Sequence, residues 1–358
     1  MSADFHELTV KKINRETDKA VSVFFEIPSS LKEKYNYRAG QYLTLRQTIN
    51  GEDIRRAYSC STTPLSEEVA VTVKEVERGR FSTYLNNELS VGDKLQVMVP
   101  NGNFTLERLS NPGNDIVLLG GGSGITPLIS IAETVLRKFE DKKVYLFYAN
   151  TEESQIIFRA KLDRLKQEFP NFSVIHILTG DNLNGWQGHT GVFDSKKCMS
   201  LVGDTIPNLN GCDFYLCGPG GLMQENELAL TRLGIDKTRI HKELFSTAVP
   251  KESGFKIVSA ESGDELTDRE ITVRLYGDEH RLEVPSDETV LMAAIQRSLD
   301  PPYSCQIGAC STCRARLVSG KVMMEDYDAL TEDEIDEGYI LTCTSHPLTD
   351  DVVIDYDD

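Results

Sequence analysis

Cys305, Cys310 and Cys313 stand in the spacing C-x4-C-x2-C inside the stretch PYSCQIGACSTC, and Cys343 follows thirty residues after the third. Four thiolates are what a [2Fe–2S] cluster requires, and this local spacing is the plant-type ferredoxin pattern. Gly308 and Ala309 are small enough for the loop backbone to wrap an inorganic core and turn amides toward the sulfurs. Zinc is the competing metal, but structural zinc usually takes two C-x2-C pairs. Here only Cys310 and Cys313 form one.

A second group lies near the N-terminus. Arg56, Ala57, Tyr58 and Ser59 form an R-x-Y-S run. An arginine grips a pyrophosphate through two parallel N–H bonds. On a strand, Arg56 and Tyr58 share a face, so an aromatic ring lies beside that grip and Ser59 adds a small donor. The set suits a flavin; an edge strand with a surface arginine fits it too. Val73 and Lys74 precede Gly79, Arg80, Phe81 and Ser82, where a glycine turn opens a helix expected from Thr83. Helix N-termini favour phosphate.

A third group sits mid-chain. The run Asp115–Leu119 reads as a buried strand, and Gly120-Gly-Gly-Ser-Gly124 joins it to a helix expected over 125–139. Glycines let amides close on a diphosphate. The dinucleotide fingerprint G-x-G-x-x-G is absent, since Pro127 takes its last position. Gly122, Gly124 and Thr126 are the binding candidates. Further on, Cys217, Gly218 and Pro219 end another buried strand, where ligands of open α/β sheets bind. A nicotinamide dinucleotide fits two such strand ends. Cys217 suits a place against the nicotinamide, or is a core cysteine. Phe245 covers the flavin, or is core. Tyr58, Ser59 and Cys217 are thus the candidate catalytic residues.

The elements that must hold these groups fall into three domains. Residues 1–107 show short strands broken at Arg38-Ala-Gly40, Asn50-Gly51, Arg78-Gly79 and Gly92-Asp93, which predicts an antiparallel β-barrel. Residues 108–245 alternate strand and helix, with helices expected over 125–139, 154–168 and 220–233, which predicts an α/β parallel sheet. Residues 246–265 are small, polar and charged, as in a linker. In 266–358, strands over 271–276 and 281–284 flank Gly277-Asp-Glu-His, a helix is expected over 289–299, and Thr331 with Glu334 makes a capping box. Helix and strands around a cysteine loop suit an α+β, β-grasp ferredoxin domain.

With 358 residues, the chain can bury two or three cores. The net charge is −18, and from Glu261 onward 24 Asp or Glu face 7 Lys or Arg, so −17 of it lies in the last domain. That excludes nucleic acid as a natural partner and suits docking by a basic protein. No apolar run approaches the ~18 residues of a membrane helix. The N-terminus MSADFHELTVKK lacks a signal-peptide core. These point to a cytoplasmic protein with reduced thiols, in which Cys60, Cys198 and Cys212 are small buried hydrophobes. His189, His241 and His280 have no metal spacing.

Together these residues resemble the ferredoxin–NADP reductase superfamily along the whole chain. The likeness is nearest to oxygenase reductases ordered flavin domain, nicotinamide domain, C-terminal plant-type [2Fe–2S] domain. The matching stretches are Arg38-Ala-Gly-Gln41, Arg56-Ala-Tyr-Ser59, Gly79-Arg-Phe-Ser82, Gly122 to Pro127, Cys217-Gly-Pro219, the four cysteines, and Gly338-Tyr-Ile-Leu before Cys343. The resemblance implies that FAD is held by Arg56, Tyr58 and Ser59 (pyrophosphate, ring and N5 region) and by Lys74 and Gly79 to Ser82. It implies that NAD(P)H binds at Gly122, Gly124 and Thr126, and that Cys217 flanks hydride transfer. The cluster ligands would be Cys305, Cys310, Cys313 and Cys343. The implied client is an oxygenase, di-iron and acting on phenylacetyl-CoA, docked on the acidic domain. The alternatives are a 3-ketosteroid or aromatic-ring Rieske oxygenase, or direct reduction of a quinone or ferric chelate. NADPH-using relatives often carry a basic residue after the strand ending here at Ala149-Asn150. This chain has Thr151-Glu-Glu153, which leans it toward NADH, with Arg159 still in reach of a 2′-phosphate.

Overall fold

A computed structural model describes residues 4–180, 183, 185–245, 256–258, 266–327 and 329–357. It divides into two compact units: the barrel with the parallel-sheet domain, and the C-terminal domain, whose unit also takes in Phe5 and Arg55–Ala57. The expected linker lies outside the described residues except for 256–258. Among the described residues, no helix is long and apolar enough to cross a membrane.

The first domain holds β1 (Phe5–Thr17), β2 (Ala20–Glu26), β3 (Tyr42–Ile49), β4 (Glu52–Ser59), β5 (Val69–Lys74), α1 (Arg80–Asn87) and β6 (Lys94–Met98). Its six-stranded sheet runs β4-β3-β6-β1-β2-β5 and curls until Cys60, just past β4, bridges Val71 of β5. The expected antiparallel barrel is present as this curled sheet. Asn50 and Gly51 take φ of 53° and 82°, a hairpin turn that glycine and asparagine enter at low cost. The Arg38-Ala-Gly40 break is also a tight turn. Gly40 has φ +99°, and a Cβ there would meet the Phe104 carbonyl oxygen at 1.9 Å.

The second domain holds β7 (Asp115–Gly121), α2 (Ile125–Lys138), β8 (Val144–Asn150), α3 (Arg159–Glu168), β9 (Phe172–Leu178), β10 (His189–Thr190), α4 (Ser195–Thr205), β11 (Cys212–Gly218), α5 (Gly220–Arg232) and β12 (Ile240–Leu244). The sheet is ordered β10-β9-β8-β7-β11-β12, and every recorded pairing is parallel. All seven residues of β8 and of β11 are buried, as strands covered on both faces must be. Each fully buried Leu or Ile side chain contributes roughly 1.5–3 kcal/mol. The helix expected from 154 starts at Arg159, because Phe158 takes φ +65° and interrupts the turn before it.

The C-terminal domain holds β13 (Lys256–Val258), β14 (Arg269–Leu275), β15 (Asp278–Val284), α6 (Val290–Gln296), β16 (Arg314–Ser319), β17 (Val322–Met324), α7 (Glu332–Asp336), β18 (Tyr339–Leu341), β19 (Ser345–Pro347) and β20 (Val353–Asp355). Its main sheet is β15-β14-β20-β16-β18. The two helices and a mixed sheet form the expected α+β arrangement. The hairpin turn is tighter than expected: Leu275 pairs with Asp278, so only Tyr276 and Gly277, at φ 56° and 82°, make it. Thr331 and Glu334 form the capping box.

Candidate functional site

Strand alternation leaves Arg56 exposed and Tyr58 half-buried on one face of β4, while Ser59 on the other is buried. The Tyr58 and Phe81 rings lie 6.1 Å apart, so two separated flavin candidates meet in the fold. The Phe81 side chain itself joins the barrel core, as does Val73. Arg80 is engaged through Nη1 on Glu52 at 2.6 Å and Nη2 on the Ile49 carbonyl at 3.1 Å.

The expected helix start at Thr83 is three residues late, because α1 begins at Arg80 with Gly79 as N-cap. Ser82 Oγ donates to the Gly79 carbonyl at 3.0 Å and accepts from the Val76 amide at 3.2 Å. A Cβ on Gly79 would lie 2.3 Å from Val76 and 2.4 Å from Ser82, so only glycine closes this turn. Burial and nearby Lys19 hold the Lys74 ammonium below its ordinary pKa. Its Nζ lies 3.8 Å from where a Cβ on Gly122 would stand, which puts this cation against the glycine loop.

That loop packs onto the end of β11. A Cβ on Gly124 would sit 2.1 Å from the Cys217 carbonyl oxygen, and Gly122 takes φ +53°. The two glycine-bearing strand ends therefore meet, and the N-terminus of α2 opens beside them. Thr126 is buried, with its hydroxyl donating to the Ser123 carbonyl at 3.1 Å. Cys217 is fully buried, and burial, with Glu243 nearby, pushes its thiol well up. Phe245 is 37% exposed and so is not core.

One functional candidate escaped sequence reasoning. Glu243 pairs in register with Cys217 across β11 and β12, and Ser59 Oγ donates to its Oε2 at 3.2 Å. Burial pushes the Glu243 carboxyl up to about 8. A carboxylic acid that keeps its proton near neutral pH, bonded to a hydroxyl, can hold or pass a proton. The available signal was a glutamate within a strand at its carboxyl end.

At the other centre the four thiols converge. Cys305 touches Cys310 and Cys343, and Cys343 touches Cys313. Amides approach as expected: Gly308 N–H to Cys343 Sγ at 3.4 Å and Ile307 N–H to Cys305 Sγ at 3.5 Å. Hydrogen bonds from Cys310 and Cys343 pull the Cys305 thiol down, and the same contacts push theirs up. Among the described residues, no three His, Cys, Asp or Glu side chains surround a single ion. The contacts link all four sulfurs into one group, the donor number that a [2Fe–2S] cluster would require. Cys60, Cys198 and Cys212 are each fully buried, as expected.

Three family models match: an oxidoreductase FAD-binding domain over residues 7–106, an oxidoreductase NAD-binding domain over 118–227, and a 2Fe-2S iron-sulfur cluster binding domain over 273–348. The chain is 36% identical, over 99% of its length and 98% of the relative's, to one subunit of the 1,2-phenylacetyl-CoA epoxidase of Escherichia coli strain K12. It is 32% identical, over 98% and 96%, to the ferredoxin reductase component of the 3-ketosteroid-9-alpha-monooxygenase of Rhodococcus rhodochrous. In fold it is similar to phthalate dioxygenase reductase, described as a modular structure for electron transfer from pyridine nucleotides to [2Fe-2S], with TM-score 0.60, 23% identity and 98% of each chain covered. The 2Fe-2S family match decides between cluster and zinc at the cysteines. On these grounds the chain belongs to the oxygenase reductases of the ferredoxin–NADP reductase superfamily, with FAD-binding, NAD-binding and 2Fe-2S domains in one polypeptide.

Proposed function

We propose that this reductase takes electrons from NADH and serves a di-iron oxygenase acting on phenylacetyl-CoA. FAD, when bound, would accept a hydride as two electrons and a proton and release the electrons singly, and a [2Fe–2S] cluster would supply one-electron carriage. The observation that carries the reading is the Ser59–Glu243 hydrogen bond of 3.2 Å beside buried Cys217, in a chain that also gathers four thiols at one place.

The residues divide the work. Arg56 and the N-terminus of α1 hold the flavin's phosphates, with Lys74 between flavin and nicotinamide sites. Tyr58 and Ser59 set the ring and its polar edge. Glu243 keeps a proton on the far side of Ser59, where the buried Cys217 adds bulk and no charge. Amides of Gly122 and Gly124 and the N-terminus of α2 receive the dinucleotide's diphosphate, and Gly218 and Pro219 bound that cleft. Phe245, exposed at the end of β12, is free to cover the flavin.

Arg159 favours NADH. It is ion-paired at 3.1 Å with both Glu153 and Asp163. A 2′-phosphate would meet carboxylates there before a free guanidinium.

The phenylacetyl-CoA assignment follows the higher identity, 36% against 32%. The excess of 24 acidic over 7 basic residues from Glu261 suits an oxygenase with a basic docking face, in the reducing cytoplasm. Turnover with each purified oxygenase tests this. NADH oxidation should couple to product with the phenylacetyl-CoA enzyme. Stronger coupling to a 3-ketosteroid or Rieske oxygenase would reassign the client.

A further inference from the structure

We propose that Tyr356 is a positioning residue for the iron–sulfur cluster, acting through Thr342 on the carbonyl of Cys313 to raise the cluster's affinity for an electron.

Thr342 is fully buried and immediately precedes Cys343. Its Oγ1 donates to the Cys313 carbonyl at 3.0 Å, and its amide approaches the same oxygen at 3.3 Å. The residue thus ties the loop carrying three ligands to the segment carrying the fourth. The Tyr356 hydroxyl lies 2.8 Å from Thr342 Oγ1. The donors can be read from the geometry. A carbonyl brings no hydrogen, so the threonine hydroxyl donates to it, and the tyrosine hydroxyl must donate to the threonine.

Both O–H dipoles therefore point their positive ends at Cys313. Bonds in such a chain polarise one another and act strongly where the dielectric is low. Charge added at the thiolates is stabilised by positive ends aimed at their backbone. Outer partners that fix a metal's ligands also tune its potential.

The chain's end holds the tyrosine in place. The Tyr356 amide donates to the Arg274 carbonyl at 3.0 Å. The Asp357 carboxylate accepts from the amides of Tyr276 and Gly277, both at 2.7 Å, at the left-handed hairpin turn. Burial raises the phenol's pKa, so it stays protonated and a donor at any working pH. The last strand, β20, runs between β14 and β16 and delivers the tyrosine there. A residue beyond the family model's match to 273–348 thus serves the cluster within it.

The test uses the full-length, cluster-loaded protein and redox titration followed by low-temperature EPR. Tyr356→Phe removes one donor and keeps the ring. The cluster's electron affinity should fall roughly threefold, about 28 mV for a one-electron couple. Thr342→Val removes the hydroxyl that donates to the carbonyl and with it the acceptor of Tyr356, so the potential should fall further, with a changed g-tensor. Thr342→Ser should restore the wild-type potential. Unchanged potential and g-values in Tyr356→Phe overturn the proposal. So does a variant that loses iron while its remaining clusters titrate as wild type, since that marks a purely structural role. If Thr342→Val fails to fold, Tyr356→Phe and Thr342→Ser still decide.

Discussion

Ser59 Oγ and Glu243 Oε2 are 3.2 Å apart although 184 residues separate them in sequence. The bond joins the first domain's β4 to the second domain's β12. It brings a hydroxyl on the flavin side to a carboxyl that burial pushes up to about 8. The neighbouring thiols of Cys60 and Cys217 are raised too, chiefly by burial, so they add no charge at neutral pH.

A pH dependence follows, with a definite sign. A folded-state pKa raised from 4.5 to about 8 makes stability greatest below about 4.5 and lets it fall as pH climbs through 8. The loss attributable to Glu243 is on the order of a few kcal/mol. Glu243→Gln should be less pH-sensitive between 5 and 9 by that amount in denaturant unfolding. Flavin reduction by NADH in stopped flow should lose its break near pH 8 in the same variant. Equal pH profiles in both assays would remove Glu243 from the site.

Gly124→Ala forces a methyl to within 2.1 Å of the Cys217 carbonyl oxygen. Neither backbone can yield cheaply, so the cost should be roughly 2–4 kcal/mol by denaturant unfolding. NADH should reduce the flavin more slowly, while a chemical reductant that needs no nucleotide site reduces it normally.

Among the described residues, Glu153→Gln leaves Arg159 with only the Asp163 ion pair. The kcat/KM ratio of NADPH to NADH should rise, by roughly threefold to tenfold for a freed cation near a 2′-phosphate. No change would place the ribose subsite elsewhere.

The charge on the last domain predicts a salt effect. Reduction of the oxygenase should slow steeply as ionic strength rises, since steering between exposed charges is screened. Flavin reduction by NADH should barely change over the same range.

What the sequence disclosed was chemistry that demands local spacing. Cys305, Cys310 and Cys313 share one loop, and Gly120 to Gly124 join one strand to one helix, so both candidate sites could be read locally. So was the Thr331–Glu334 cap, a three-residue interaction. Long-range partners were not. Glu243 is silent until β12 lies beside β11 in register, and β12 itself hides because Lys242 and Glu243 interrupt its apolar pattern. The helix α4 went unread because Ser195, Lys196 and Lys197 give no apolar face at its start. Its cap, Asp194 accepting from the Lys197 amide at 2.8 Å, is the cue that was present. No local spacing marks Tyr356, and only the fold brings it to Thr342.

The most direct test of the relay is anaerobic titration of the holoprotein with NADH, following flavin absorbance and the cluster's EPR signal together, in wild type and Cys310→Ser. The account predicts flavin bleaching in both, a reduced [2Fe–2S] signal only in wild type, and loss of electron delivery to the oxygenase in the variant. Flavin bleaching without a cluster signal in wild-type protein that contains iron and sulfide would contradict it. So would undiminished delivery by Cys310→Ser.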